Sequence, residues 1–183
     1  MTILDLWLPI LVATVICFFA SSAIWVFFKW HNSDYTKTDD EERVRDALKG
    51  TKPGFYVLPY CIDWSEMAKP EVQQKYSDGP IAYITVAPNG MPSMGPKMVS
   101  MVIYFLFVSI ACAYMVSRTI APDADYLAVF RIAGTVAFIA NGIAVIPESV
   151  WFARPWSMTF KNLIDAMIYA LLTGGVFGWL VLA

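Results

Sequence analysis

Apolar positions along this chain gather into four long blocks, separated by polar stretches of very unequal length. The blocks are Leu4–Phe28, Met98–Val116, Leu127–Pro147 and Phe160–Leu182. Each approaches or exceeds the roughly 20 residues that a helix needs to cross the hydrocarbon core of a bilayer. The pattern predicts an all-α membrane protein with four transmembrane helices. The first block has Asp5 and no Lys or Arg ahead of it, and its apolar run continues through IWVFF beyond the small residues ASSA. A cleaved secretion signal has a basic start and a short apolar core, so this block is expected to persist as a transmembrane helix.

Residues 29–97 follow a different pattern. TDDEERVRDALKG reads as a short helix, with Thr38 three before Glu41 in a capping-box spacing and Gly50 as its stop. Val44, Ala47 and Leu48 give that helix one narrow apolar face. GFYVLPY and PIAYITVAP read as strands, rich in aromatic and β-branched residues and bounded by Gly and Pro. KPEVQQKYSDG between them is a helical turn or two opened by Pro70, and PNGMPSMGP is a tight turn into the second block. The expected organisation is transmembrane helix 1 over residues 1–28, a small α+β cytoplasmic cap over 29–97, and transmembrane helices 2–4 over 98–183. A two-stranded sheet is marginal alone in water. The cap should therefore rest on the membrane surface, on a partner, or on its own Tyr56, Tyr60, Trp64 and Tyr83.

Charge gives the orientation. Hydrophobic residues make up 58% of the chain and charged ones 15%, a balance outside that of ordinary soluble domains. Between Lys29 and Lys97 lie 19 of the 28 Asp, Glu, Lys and Arg side chains. Lys29, Lys37, Arg43, Arg45, Lys97, Arg154 and Lys161 fall on one side of the expected spans, against Arg118 beside Asp123 and Asp125 on the other. Basic residues near span ends stay cytoplasmic, so both termini are expected to be non-cytoplasmic. The net charge of −2 offers no basic footprint for nucleic acid.

Catalytic chemistry is not visible. Cys17 and Cys112 lie inside spans and Cys61 in the cap, with no CxxC or HExxH motif and a single His, so neither a disulfide framework nor a zinc site is expected. Met91, Met94, Met98 and Met101, with His31 and Cys61 on the same side, could supply soft donors to Cu(I). Methionine is equally a filler at membrane boundaries, and no cofactor is expected. No nucleophile–base pair is apparent, so the chain is not expected to be an enzyme.

The polar groups inside the apolar blocks form the candidate sites. Arg131 and Asp5 fall at similar depth and make a candidate ion pair. Asn141 and Asp165 also fall at similar depth, with Tyr169 one helical turn from Asp165. Those three are expected to form a hydrogen-bonded intramembrane cluster, either as glue between helices or as a protonatable site. In VWFARPWSMTF, near Glu148, Trp151, Phe152, Trp156 and Phe160 form an aromatic belt with Arg154 and Lys161, and Pro147 and Pro155 are expected to interrupt the helix. Trp151, Arg154, Trp156 and Lys161 are the candidate lipid-headgroup contacts. Gly174-x-x-x-Gly178, Ala133-x-x-x-Ala137 and Ala140-x-x-x-Ala144 predict close packing of the third and fourth helices.

SDY after the first block, PGFYVLPYC, YLAVFRIAGTVAF, RPWS and LIDAMIYALLTGGVFGWL resemble segments of uncharacterised four-span bacterial integral membrane proteins with no established activity. The similarity covers most of the chain. It implies the four-span architecture and a bacterial inner (cytoplasmic) membrane, and nothing about mechanism. Two functional classes remain: a non-catalytic subunit or scaffold that contacts lipid and helps assemble a larger complex, by self-association or with other subunits, and a small oligomeric transporter or channel using Asn141, Asp165 and Tyr169.

Overall fold

The computed structural model describes residues 1–121 and 123–182. Its chain separates into two compact units: Met1–Tyr35 together with Ser93 onward, and Thr36–Pro92. Residues 30–34 thus group with the long helices.

In the first unit, four stretches are long and apolar enough to cross a membrane: Leu4–Phe28, Met94–Thr119, Tyr126–Trp151 and Trp156–Leu180. The first comprises a 3-10 turn, helix α1 (Trp7–Ser22) and a π-helical turn over Ala23–Phe28. Lys29 ends it in the left-handed region at φ 54°, a conformation unusual for a residue with a side chain, and the 3-10 turn Trp30–Asp34 follows. The second stretch begins at Met94, ahead of the expected Met98, because Pro96 sits in the first turn, where its missing N–H has no helical partner to lose.

The third stretch is interrupted just ahead of Pro147, as expected. Its helix runs over Tyr126–Gly142, passes through a 3-10 turn at Ile143–Val145 and continues over Ile146–Trp151, with Pro147 at the start of that last piece. A proline there is tolerated for the same reason. A second break comes at Phe152–Pro155, with Ala153 at φ 53°, before the last helix starts at Trp156.

The second unit holds α2 (Glu41–Ala47), β1 (Gly54–Leu58), α3 (Trp64–Met67), α4 (Pro70–Asp78) and β2 (Ala82–Val86). The long helices are α5 (Met94–Thr119), α6 (Tyr126–Gly142), α7 (Ile146–Trp151) and α8 (Trp156–Leu180). The strands pair antiparallel with Gly54 opposite Val86 and Leu58 opposite Ala82. Phe55 and Tyr83 stack on one face at 6.2 Å. The cap of α2 is Asp40, whose carboxylate accepts the Arg43 N–H at 3.0 Å. Because the helix starts at Glu41, Thr38 lies two residues before the cap position and the expected Thr38–Glu41 box does not form. No residue from Thr36 to Pro92 is fully buried.

The helical unit has a continuous core. Helix α1 packs on α5 and α8, and α6 packs on α5 and, most extensively, on α8. Leu6, Ile10, Ala13, Val116, Val129, Ala133, Ala137 and Phe177 form one buried apolar cluster. Small residues bring α6 and α8 together as their spacing suggested. A Cβ on Gly174 would lie 2.9 Å from the Phe130 carbonyl oxygen, and one on Gly178 2.7 Å from the Tyr126 ring. Ala140 and Ala144 are exposed.

Candidate functional site

The most concentrated buried chemistry lies where the Trp30–Asp34 turn meets α8. The left-handed Lys29 turns the chain after the first span so that this short segment packs on α8. There the His31 ring, 2% exposed, stands between two carboxylates. Its Nδ1 is 2.7 Å from Asp34 Oδ2 and its Nε2 2.9 Å from Asp165 Oδ2. Lys161, one turn before Asp165, donates to the other oxygen of Asp34, to Ser33 Oγ at 2.8 Å and to the Trp30 carbonyl at 3.0 Å. One face of the His31 ring stacks on Trp25, with ring centres 4.0 Å apart and planes within 3°, and Trp30 meets its edge at 5.5 Å.

Hydrogen-bond valence constrains this arrangement. A neutral imidazole has one N–H, so two bonds to carboxylates require a second proton, on the other ring nitrogen or on a carboxyl. Asp34, His31 and Asp165 therefore share two protons. With that count and the Lys161 ammonium the cluster is electrically neutral, which burial requires. Burial pushes the Asp34 carboxyl up, but the Lys161 ammonium and the His31 ring bonded to it outweigh burial and hold it below the usual range. Two polar atoms stay without a protein partner, Asp165 Oδ1 and Trp30 Nε1, both buried.

A line of weaker polar contacts continues away from the cluster between the helices. The Tyr169 hydroxyl lies near Ser21. The Cys17 thiol lies 3.3 Å from the Thr173 hydroxyl, and the Thr14 hydroxyl 3.3 Å from that of Ser109. Beyond Thr14 the polar groups give way to the apolar cluster of Leu6, Ile10, Val116, Val129 and Phe177.

Not all of the expected constellations assemble. Asp165 and Tyr169 share the inner face of α8, but Asn141 is not with them: its amide donates to the Ala137 carbonyl at 2.7 Å and accepts from Tyr104 of α5 at 3.1 Å. The neighbouring Gly142 explains this. It is pressed against α8, where a Cβ would meet Ala166 at 3.0 Å. The next residue on a helix points about 100° away, which sends Asn141 toward α5. Asp5 and Arg131 do not pair either. Asp5 turns back to accept the Thr2 N–H at 2.7 Å, while Arg131 is exposed on an outer groove beside Phe138 and Met167. Of the headgroup candidates, Trp151 and Trp156 are exposed, Arg154 lies 3.6 Å from Glu148, and Lys161 is drawn into the buried cluster.

Asp34 and Trp25 were not identified as site residues from the sequence, and His31 was considered only as a donor to Cu(I) beside the methionines. The available signal was the single His, set three residues before an Asp just after an apolar block. Among the described residues, no group of three His, Cys, Asp or Glu side chains is arranged to hold a metal ion. No protein-family model, curated protein or solved structure matches the chain.

Proposed function

We propose that this chain is a non-catalytic integral membrane subunit or scaffold of a bacterial inner membrane, spanning it four times with both termini non-cytoplasmic. Its helical unit anchors and contacts lipid, and its cap holds other membrane subunits or a second copy. The observation that carries this reading is the contrast in burial. Residues 36–92 include no fully buried side chain, while Tyr60, Ile62 and Trp64 are 75%, 71% and 82% exposed. A two-stranded sheet with so little core is marginal alone in water, and a partner's surface would supply what it lacks. No part of the reading requires an enzyme.

The second reading, a small oligomeric transporter or channel, draws on the spare Asp165 oxygen and on the hydroxyl and thiol contacts near Tyr169. Asn141, directed toward α5, would play no part in such a path. The buried apolar cluster beyond Thr14 speaks against passage through one copy. Proton and ion flux into liposomes containing the purified protein separates the two classes. The scaffold reading predicts no flux above that of empty liposomes, for wild type and Asp165→Asn alike. Flux lost in Asp165→Asn, with the protein still folded, would overturn it.

A further inference from the structure

The geometry points to a bound lipid: one acyl chain of an anionic phospholipid lies in the groove between α1 and α5, with its phosphate at Lys97. This rests on the membrane reading above and adds a site to it. The groove holds about 320 Å³ and is walled by Phe18, Trp25 and Val26 on one side and by Met98 and Met101 on the other, with Lys97 as its one charged side chain. From Phe18 to Trp25 it follows eight residues of α1 and its π-helical extension, a rise of about 10 Å at 1.5 Å per step. Ser21 and Ser22 also line it, but Ser22 donates to the Phe18 carbonyl and Ser21 lies near the Tyr169 hydroxyl. The walls are therefore effectively apolar and suit a hydrocarbon chain. Methionine side chains adapt readily to such an occupant.

Depth and charge select the headgroup. Lys97 is the fourth residue of the 26-residue α5, so it lies about 4.5 Å along the helix from its start. If α5 crosses the bilayer, that is headgroup level. Among the described residues Lys97 makes no ion pair. The basic residues first considered for this role are engaged elsewhere, Lys161 by Asp34 and Arg154 by Glu148. An unpaired ammonium above an apolar trough complements a phosphate joined to an acyl chain. Trp25 links the site to the buried cluster, since its indole both walls the groove and stacks on His31. A chain in the groove would hold that stack in place.

Native mass spectrometry of the detergent-purified protein tests the assignment, with phosphatidylglycerol, phosphatidylcholine of the same chains and soluble glycerol phosphate as probes. Wild type should bind phosphatidylglycerol in preference to phosphatidylcholine and should not retain glycerol phosphate. Lys97→Gln should weaken phosphatidylglycerol binding about fivefold, the factor equivalent to the ~1 kcal/mol that one basic side chain contributes toward anionic lipid. Met98→Trp, which fills the groove, should weaken both lipids while melting in lipid-free detergent as wild type does. If Met98→Trp misfolds, Met101→Phe serves as the second filling variant. Undiminished phosphatidylglycerol binding in Lys97→Gln, undiminished binding in a folded groove-filled variant, or glycerol phosphate competing as well as the lipid would each overturn the proposal. A seated helix of a second copy would instead appear as a dimer lost on filling the groove, and would equally overturn it. None of these outcomes depends on the cap, so the scaffold reading can stand or fall separately.

Discussion

The helical unit and the cap treat polar and apolar groups in opposite ways. In the helical unit, His31, Asp34, Lys161 and Asp165 are drawn inward and bonded to one another, while Leu4, Phe19, Phe27 and Trp179 face out. In the cap, charged residues and apolar ones share the surface, and Tyr60, Ile62 and Trp64 stand exposed without a core beneath them. If the helical unit crosses a bilayer and the cap lies in water, the difference follows from solvent. Lipid tails are as apolar as leucine, so helices crossing a bilayer cohere through close backbone approach and internal polar bonds. A cap in water must bury apolar area to be stable. On the scaffold reading, the helical unit carries its cohesion internally and the cap needs a covering surface.

The largest expected effect comes from breaking the polar side of that contrast. His31→Leu leaves Asp165 buried with no ionic partner, and a buried pair broken in this way typically costs about 3–5 kcal/mol. The double variant His31→Leu/Asp165→Leu removes both charges and should recover much of that loss. Thermal unfolding of the two single variants and the double in one detergent closes the cycle. Losses that simply add would show that the pair contributes nothing beyond its separate parts.

Gly174→Val attacks the apolar side. Its Cβ would lie 2.9 Å from the Phe130 carbonyl oxygen, a backbone atom that cannot swing aside, so α6 and α8 must part. Overpacking of this kind costs about 1–3 kcal/mol. The melting temperature of Gly174→Val should fall further than that of Gly175→Val, where the nearest atom to a new Cβ is the Tyr126 hydroxyl at 3.8 Å. Equal losses would mean that the close seam is not where the helices are held.

A smaller effect should appear in acid. The Asp34 carboxyl is held below its ordinary range in the folded protein. Its ionised form therefore contributes stability that is fully present above the unfolded value of ~3.9 and lost as pH falls through the lower folded value. Wild type should lose more melting temperature between pH 5 and pH 3 than Asp34→Asn does. Parallel slopes would contradict the bonding assigned to Asp34.

How far the sequence revealed each region depended on the reach of the pattern. The four long helices and the two strands were legible because period and length are local properties. So was the α6–α8 seam, since Gly174 and Gly178 announce close approach by their spacing. The buried cluster was not, because His31 and Asp165 are 134 residues apart and meet only after the left-handed turn at Lys29. Matching Asn141 with Asp165 by depth left out rotation about the helix axis. Gly142 fixes that rotation, and it turns Asn141 toward Tyr104.

The claim that the cap is held by another protein is tested most directly where it is most exposed. A photo-crosslinking residue placed at Ile62, 71% exposed, and activated in intact cells should convert the 20.5 kDa chain into one discrete, heavier protein adduct. The same residue at Met167, on the outer face of α8, should give lipid adducts instead. Lipid adducts alone at Ile62, or no adduct at Tyr60, Ile62 or Trp64, would contradict the account.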